Sequence, residues 1–149
     1  MKRIKDSIFK SIGLTSKLLG VYINEKMTEH GMDLTQHQYA ILKLLVENEG
    51  SSQNDLAILT ERDKTSMARL VNNMEAKDLI TKVQGKIDRR KRRIYLTDTG
   101  KTVLNKAMPI MKKIEAELIK DLSPREVQTT IQLLNSVQAK VLGSARVLT

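Results

Sequence analysis

The apolar residues of this chain change period twice, and that change constrains the fold more than any other feature. Up to Lys77 they recur every three or four positions, as helices buried on one face require. Over residues 79–83 (LITKV) and 92–96 (RRIYL), short runs rich in Ile, Val and Tyr replace that spacing, joined by a charged, Gly-containing connection. From Thr97 the helical spacing returns. A two-stranded hairpin is therefore set between helices, and the fold class is mainly α with a small β-hairpin wing.

The helices can be placed by their punctuation. The first carries Ile4, Ile8, Ile12, Leu19, Tyr22 and Ile23 and stops at Gly31; the second follows Thr35, carries Tyr39, Ile41, Leu42, Leu44 and Leu45, and closes at Gly50. A short third spans 53–60 with Leu56, Ala57 and Leu59, too short to stand without neighbours. Asp63 caps a fourth, whose stripe Met67, Leu70, Val71 and Met74 leaves Lys64, Thr65, Ser66, Arg69, Asn72 and Asn73 mostly facing solvent. After the hairpin, a long helix starts at Thr97 or Asp98 and should bend at Pro109, which lacks a backbone donor. Ser123-Pro124-Arg125-Glu126 has the N-cap, first-position Pro and capping-box acid that open a last helix, striped by Val127, Ile131, Leu134, Val137 and Val141.

A hairpin directly after a helix-turn-helix is the winged-helix arrangement. The expected organisation of residues 1–149 is a winged helix-turn-helix part at 34–97 and a helical dimerisation part made of 1–33 and 98–149. The outer helices carry more apolar surface than one copy needs, which points to a two-fold homodimer.

Charge bears on function. The chain has 26 Lys and Arg against 17 Asp and Glu, a net +9. The excess is focal: residues 86–93 hold six cations and one acid, with DRRKRR at 88–93. At a hairpin tip such a cluster can neutralise phosphates and place a guanidinium in a narrow minor groove; the plainer reading is a solvated charged turn. Lys64, Thr65 and Ser66 near a helix start can bond phosphates, and Arg69 one turn later can fork onto guanine; the plainer reading is an ordinary exposed face. The chain has no Cys, which removes disulfides, thiol catalysis and Cys-ligated metals. His30 and His37 lack the spacing of metal ligands, and no phosphate loop, nucleophile elbow or carboxylate cluster suggests an enzyme or a cofactor. No apolar run approaches a membrane span, and Lys10 and Lys17 interrupt the opening as a secretion signal, so a cytoplasmic setting is expected.

LTQHQYAILKLL (34–45), SQNDLAILTERDKTSMARLVNNMEAKDLI (52–80) and DRRKRRIYLTDTG (88–100) resemble, in order and spacing, blocks of the MarR family of bacterial and archaeal transcriptional regulators. The resemblance implies a dimeric winged helix that represses transcription from an inverted-repeat operator in double-stranded DNA and often responds to a small aromatic or anionic ligand. It implies that Lys64, Thr65, Ser66, Arg69 and Asn72 lie on the recognition helix. Asp88, Arg89, Arg90, Lys91 and Arg92 would form the wing, with Arg90 entering the minor groove and Asp88 orienting it. A ligand would sit where the first, second and fifth helices meet the DNA-binding part, with Tyr22, Met27, His37 and Tyr39 as candidates. Three positions depart from the family pattern: Ala68 for a common Ser or Thr, Asn73 for an Arg that links recognition helix to wing, and Asp78 for a frequent Gly. A non-specific DNA-binding architectural protein and a helical protein-interaction module are the competing readings.

Overall fold

A computed structural model describes residues 7–143; Ile4, placed above in the first helix, lies outside them. The order is α1 (Ile8–Glu29), α2 (Gln36–Glu47), β1 (Ser51–Ser52), α3 (Gln53–Leu59), α4 (Lys64–Ala76), β2 (Ile80–Gln84), β3 (Arg92–Leu96), α5 (Asp98–Ile119) and α6 (Pro124–Gly143).

The helix boundaries follow the cap chemistry. The Thr35 hydroxyl accepts from the Gln38 N–H while the Gln38 side chain accepts from the Thr35 N–H, so two orphan donors of α2 are satisfied reciprocally. Ser52 and Asp55 do the same for α3, and Ser123 and Glu126 for α6. Asp63 Oδ1 accepts from the Ser66 N–H at 2.8 Å and opens α4. At the other end of α1, Gly31 adopts φ +72° and the Met32 N–H reaches back to the Met27 carbonyl, closing the last turn. α4 closes instead on Asp78 at φ +58°, a left-handed residue whose own side chain is bonded by the Thr99 hydroxyl. α5 continues through Pro109, which is exposed.

The sheet has one strand beyond the hairpin. The hairpin is the larger part of a three-stranded antiparallel sheet in the order β1-β3-β2. The added strand is two residues, Ser51 and Ser52, paired with Ile94 and Arg93. Such a strand is too short and polar to leave a periodicity. It forms because Gly50, buried at φ +78°, donates its N–H to the Ile94 carbonyl and lays the chain against β3.

A single core holds these elements. Ile23 and Met27 of α1, Ile41, Leu42 and Leu45 of α2, Leu56 of α3, Met67, Val71 and Met74 of α4, Ile80 and Ile94 of the sheet, and Leu104, Ala107 and Ile114 of α5 bury together. Each fully buried Leu or Ile contributes about 2 kcal/mol of transfer free energy. Gly100, in the first turn of α5, lies so close to the Leu79 carbonyl oxygen that a Cβ there would clash with it. α6 contributes no buried residue, and Ile131, Leu133, Val141 and Leu142 stand exposed on it. On α1, Ile8, Phe9, Leu14, Leu18 and Val21 are likewise exposed. Among the described residues no helix is long and apolar enough to cross a membrane.

Candidate nucleic-acid interface

Burial of Met67, Val71 and Met74 fixes the rotation of α4 about its axis. Lys64, Thr65, Arg69, Asn72 and Asn73 are thereby left exposed in one line of turns. Ser66 lies at the margin of this face, partly covered, with its hydroxyl accepting from Arg62 Nη1 at 2.8 Å. The turn into α4 is tight: Glu61 takes φ +51° and the Arg62 N–H returns to the Ala57 carbonyl.

The wing is ordered by its backbone. The Gly85 N–H donates to the Lys91 carbonyl, the Lys91 N–H to the Asp88 carbonyl, and Gln84 Nε2 to the Arg89 carbonyl at 2.7 Å. A Cβ on Gly85 would lie 2.7 Å from the Asp88 carbonyl oxygen, so the tip turn is built around glycine. Asp88 Oδ1 accepts from the backbone N–H of Arg90 at 3.0 Å. Its contact is with the Arg90 backbone. It shapes the turn by the local side-chain-to-backbone bond that Asp favours. Arg89, Arg90, Lys91 and Arg92 are all exposed, while Arg93 turns back and Nη1 donates to the Gly50 carbonyl at 3.1 Å.

Two open concavities join the wing to α4. One is lined by Ser52, Gln53, Asn54 and Asp55 together with Arg90, Lys91, Arg92 and Arg93; the other by Gln53, Asn54, Ala57 and Lys64. The start of α3 thus bridges α4 and the hairpin in one polar, cationic surface. Gln53 and Asn54 were not singled out from the sequence. They lie in the first turn of α3, directly after its cap Ser52. Asp55 is the acid in this surface. Bonds from the Ser52 backbone N–H and hydroxyl, aided by the charges of Lys91 and Arg93, hold its carboxyl below the usual range.

Lys82 of β2 also went unnoticed. Its Nζ donates to Asn72 Oδ1 at 2.8 Å and stands 3.8 Å from Glu75 Oε1, tying wing to recognition helix. At the far end of α4, Lys77 Nζ donates to Asp33 Oδ1 at 2.9 Å and to the side chain of the buried Gln38 at 3.3 Å.

Of the four ligand candidates, Met27, 1% exposed, lies in the core and Tyr22 and Tyr39 pack against it. Tyr22 lines an apolar groove with Leu18, Leu19, Val21 and Leu118, its ring 5.5 Å from Lys26 Nζ. Tyr39 is half-buried, which raises its phenol pKa, with Glu115 adding to the shift. His37 faces outward near Arg62; the protein around its ring lowers its pKa first, and the Arg62 charge adds to this. His30 ends α1, with Nδ1 at 2.8 Å from the Lys26 carbonyl.

A helix-turn-helix (α3 and α4) followed by a hairpin joined to a third short strand defines a winged-helix protein. The MarR family model matches residues 34–91. Transcriptional regulator HosA of Escherichia coli O127:H6 is 30% identical over 105 residues, covering 70% of this chain and 78% of that one. YybA of Bacillus subtilis strain 168, an uncharacterized HTH-type transcriptional regulator, is 26% identical over 141 residues, 91% of this chain and 89% of its own. The structure of the transcriptional regulator SlyA superposes with a TM-score of 0.81 at 26% identity, covering 91% and 94% of the two chains. The S. aureus MepR–DNA complex shares the fold at TM-score 0.77 and 23% identity, over 91% and 96%. The chain belongs to the MarR family of transcriptional regulators.

Proposed function

We propose that the protein is a homodimeric repressor that binds an inverted-repeat operator, with residues 34–97 as its DNA-binding part and the helices before and after as its dimerisation part. The observation that carries this reading is the continuous surface from Lys64 of α4, across Gln53 and Asn54, to Arg90 and Lys91 of the wing, with Arg69 exposed on the same helix. A recognition helix set beside a basic hairpin matches a major groove flanked by a minor groove, and two copies would place their helices one turn, about 34–36 Å, apart. The exposed apolar faces of α1 and α6 supply surface for the second copy. Occupying a promoter blocks polymerase sterically, in the cytoplasm where the DNA is. A small aromatic or anionic ligand taken up near Tyr22 or Tyr39 would release DNA in proportion to its preference for a dimer of different helix spacing.

The test is Arg90→Ala in a gel-shift titration on a selected operator, with random DNA as competitor at physiological salt. The variant should lose at least about 1 kcal/mol of affinity while remaining a folded dimer. Equal binding by variant and parent removes Arg90 from the interface. Equal competition by random DNA makes the protein a non-specific binder, because a specific one retains roughly a thousandfold preference.

A further inference from the structure

Asn72 and Lys82 come from different elements, and their contact settles a question of chemistry. An amide side chain can face a partner with its oxygen or its N–H2, and the two ends are told apart only by what they meet. Lys82 Nζ lies 2.8 Å from the Asn72 amide, and an ammonium can only donate. The oxygen must therefore point at Lys82. Asn72 is otherwise exposed, on the same side of α4 as Thr65 and Arg69, at i+7 and i+3 from them. With Oδ1 turned to the wing, Nδ2 is the end left at the exposed face.

Lys82 is built to hold this arrangement. It sits on the inward side of β2 two residues after the buried Ile80, opposite Ile94 of β3, and its side chain is 14% exposed. A stem so covered has few alternative rotamers, and the ammonium emerges where Asn72 is within hydrogen-bonding distance and Glu75 is 3.8 Å away. Glu75 is itself 46% exposed, so its pull is modest, and the shorter bond to Asn72 fixes the position.

We infer that Lys82 is a positioning residue for base reading: by holding the Asn72 carbonyl it turns the Asn72 amide N–H2 outward, so that Asn72 reads hydrogen-bond acceptors on a base edge. This rests on the operator-binding reading above. Adenine is read by an Asn that both accepts from N6–H2 and donates to N7, which requires the oxygen and nitrogen together. With its oxygen held toward Lys82, Asn72 presents chiefly its N–H2 to a base, which favours guanine, with acceptors N7 and O6, and after it thymine, with O4. The same contact joins wing to recognition helix at a place where Asn73 cannot supply an Arg.

Selection from randomised DNA followed by sequencing tests this with the full-length protein and its Asn72→Ala, Lys82→Met and Lys82→Arg variants. The parent should enrich guanine or thymine at one position of each half-site. Asn72→Ala should flatten that position, with roughly fivefold to tenfold weaker binding of the parent's sequence, as for one lost hydrogen bond. Lys82→Met keeps the covered stem but cannot donate, so it should relax the same position and no other. Lys82→Arg retains a donor and should restore the preference. Thermal melting and sizing of each variant identify any that fails to fold, and Lys82→Arg then carries the comparison with Asn72→Ala. Adenine at the position that Asn72→Ala flattens overturns the inference, as does unchanged selection by Asn72→Ala. A uniform loss over all sequences in Lys82→Met makes Lys82 a phosphate contact and overturns it too. A parent that enriches no sequence overturns the operator reading itself, which an unchanged set of variant preferences does not.

Discussion

α4 and α6 are both capped, amphipathic helices, yet α4 buries Met67, Val71 and Met74 and α6 buries nothing. Their sequences differ little in pattern: each has a side-chain N-cap bond and an apolar stripe. The difference lies in neighbours. α4 packs against α3 and β2 within the same chain, while Ile131, Leu133 and Leu142 of α6 are exposed. An apolar stripe thus says that a helix is covered, and leaves open whether the cover belongs to the same chain.

The strongest way to break the comparison is in the buried helix. Met67→Ala removes a side chain that is 0% exposed, and should cost about 2–5 kcal/mol from lost transfer and the cavity left behind. In denaturant titrations followed by circular dichroism, the added cavity cost should be the same at every protein concentration. Leu133→Asp tests the other helix: it places a charge on an exposed apolar face, so it should leave the core intact and shift the protein towards monomer. Sedimentation at a series of concentrations reads this directly, and a dimer unchanged across the series would take Leu133 out of the interface. The smallest effect is expected at the caps, where the two helices resemble one another. Asp63→Ala and Ser123→Ala should each cost about 1 kcal/mol, because each leaves a helix N–H without its side-chain acceptor. A Ser123 effect that grows on dilution would mean that the cap matters to α6 chiefly through the partner.

Much of this was legible along the chain because the signals are local. Thr35, Asp63 and Ser123 bond residues three positions away, and Met67, Val71 and Met74 follow from helical geometry alone. The wing's charge is equally local, since six cations sit in eight consecutive residues. Asp88 shows where such reasoning stops. The sequence places an acid two residues before Arg90, but whether it meets the guanidinium or the backbone depends on a turn closed by Gly85 and Lys91. β1 was invisible because two serines carry no period, and it exists only where Gly50 brings them beside β3.

The sequence by itself determined the helices, their caps, the hairpin and the focal cationic tip, because hydrogen-bond reach and side-chain period act over a few residues. Only the tertiary structure decided what stands beside what across long separations. It brought Lys82 to Asn72 across ten positions, Lys77 to Asp33 across 44, and Gln53 and Asn54 between wing and recognition helix. It also put Met27 in the core and left α6 without a fully buried residue. Such pairings follow from how the helices and sheet dock around one shared core, a geometry that no short window of residues contains.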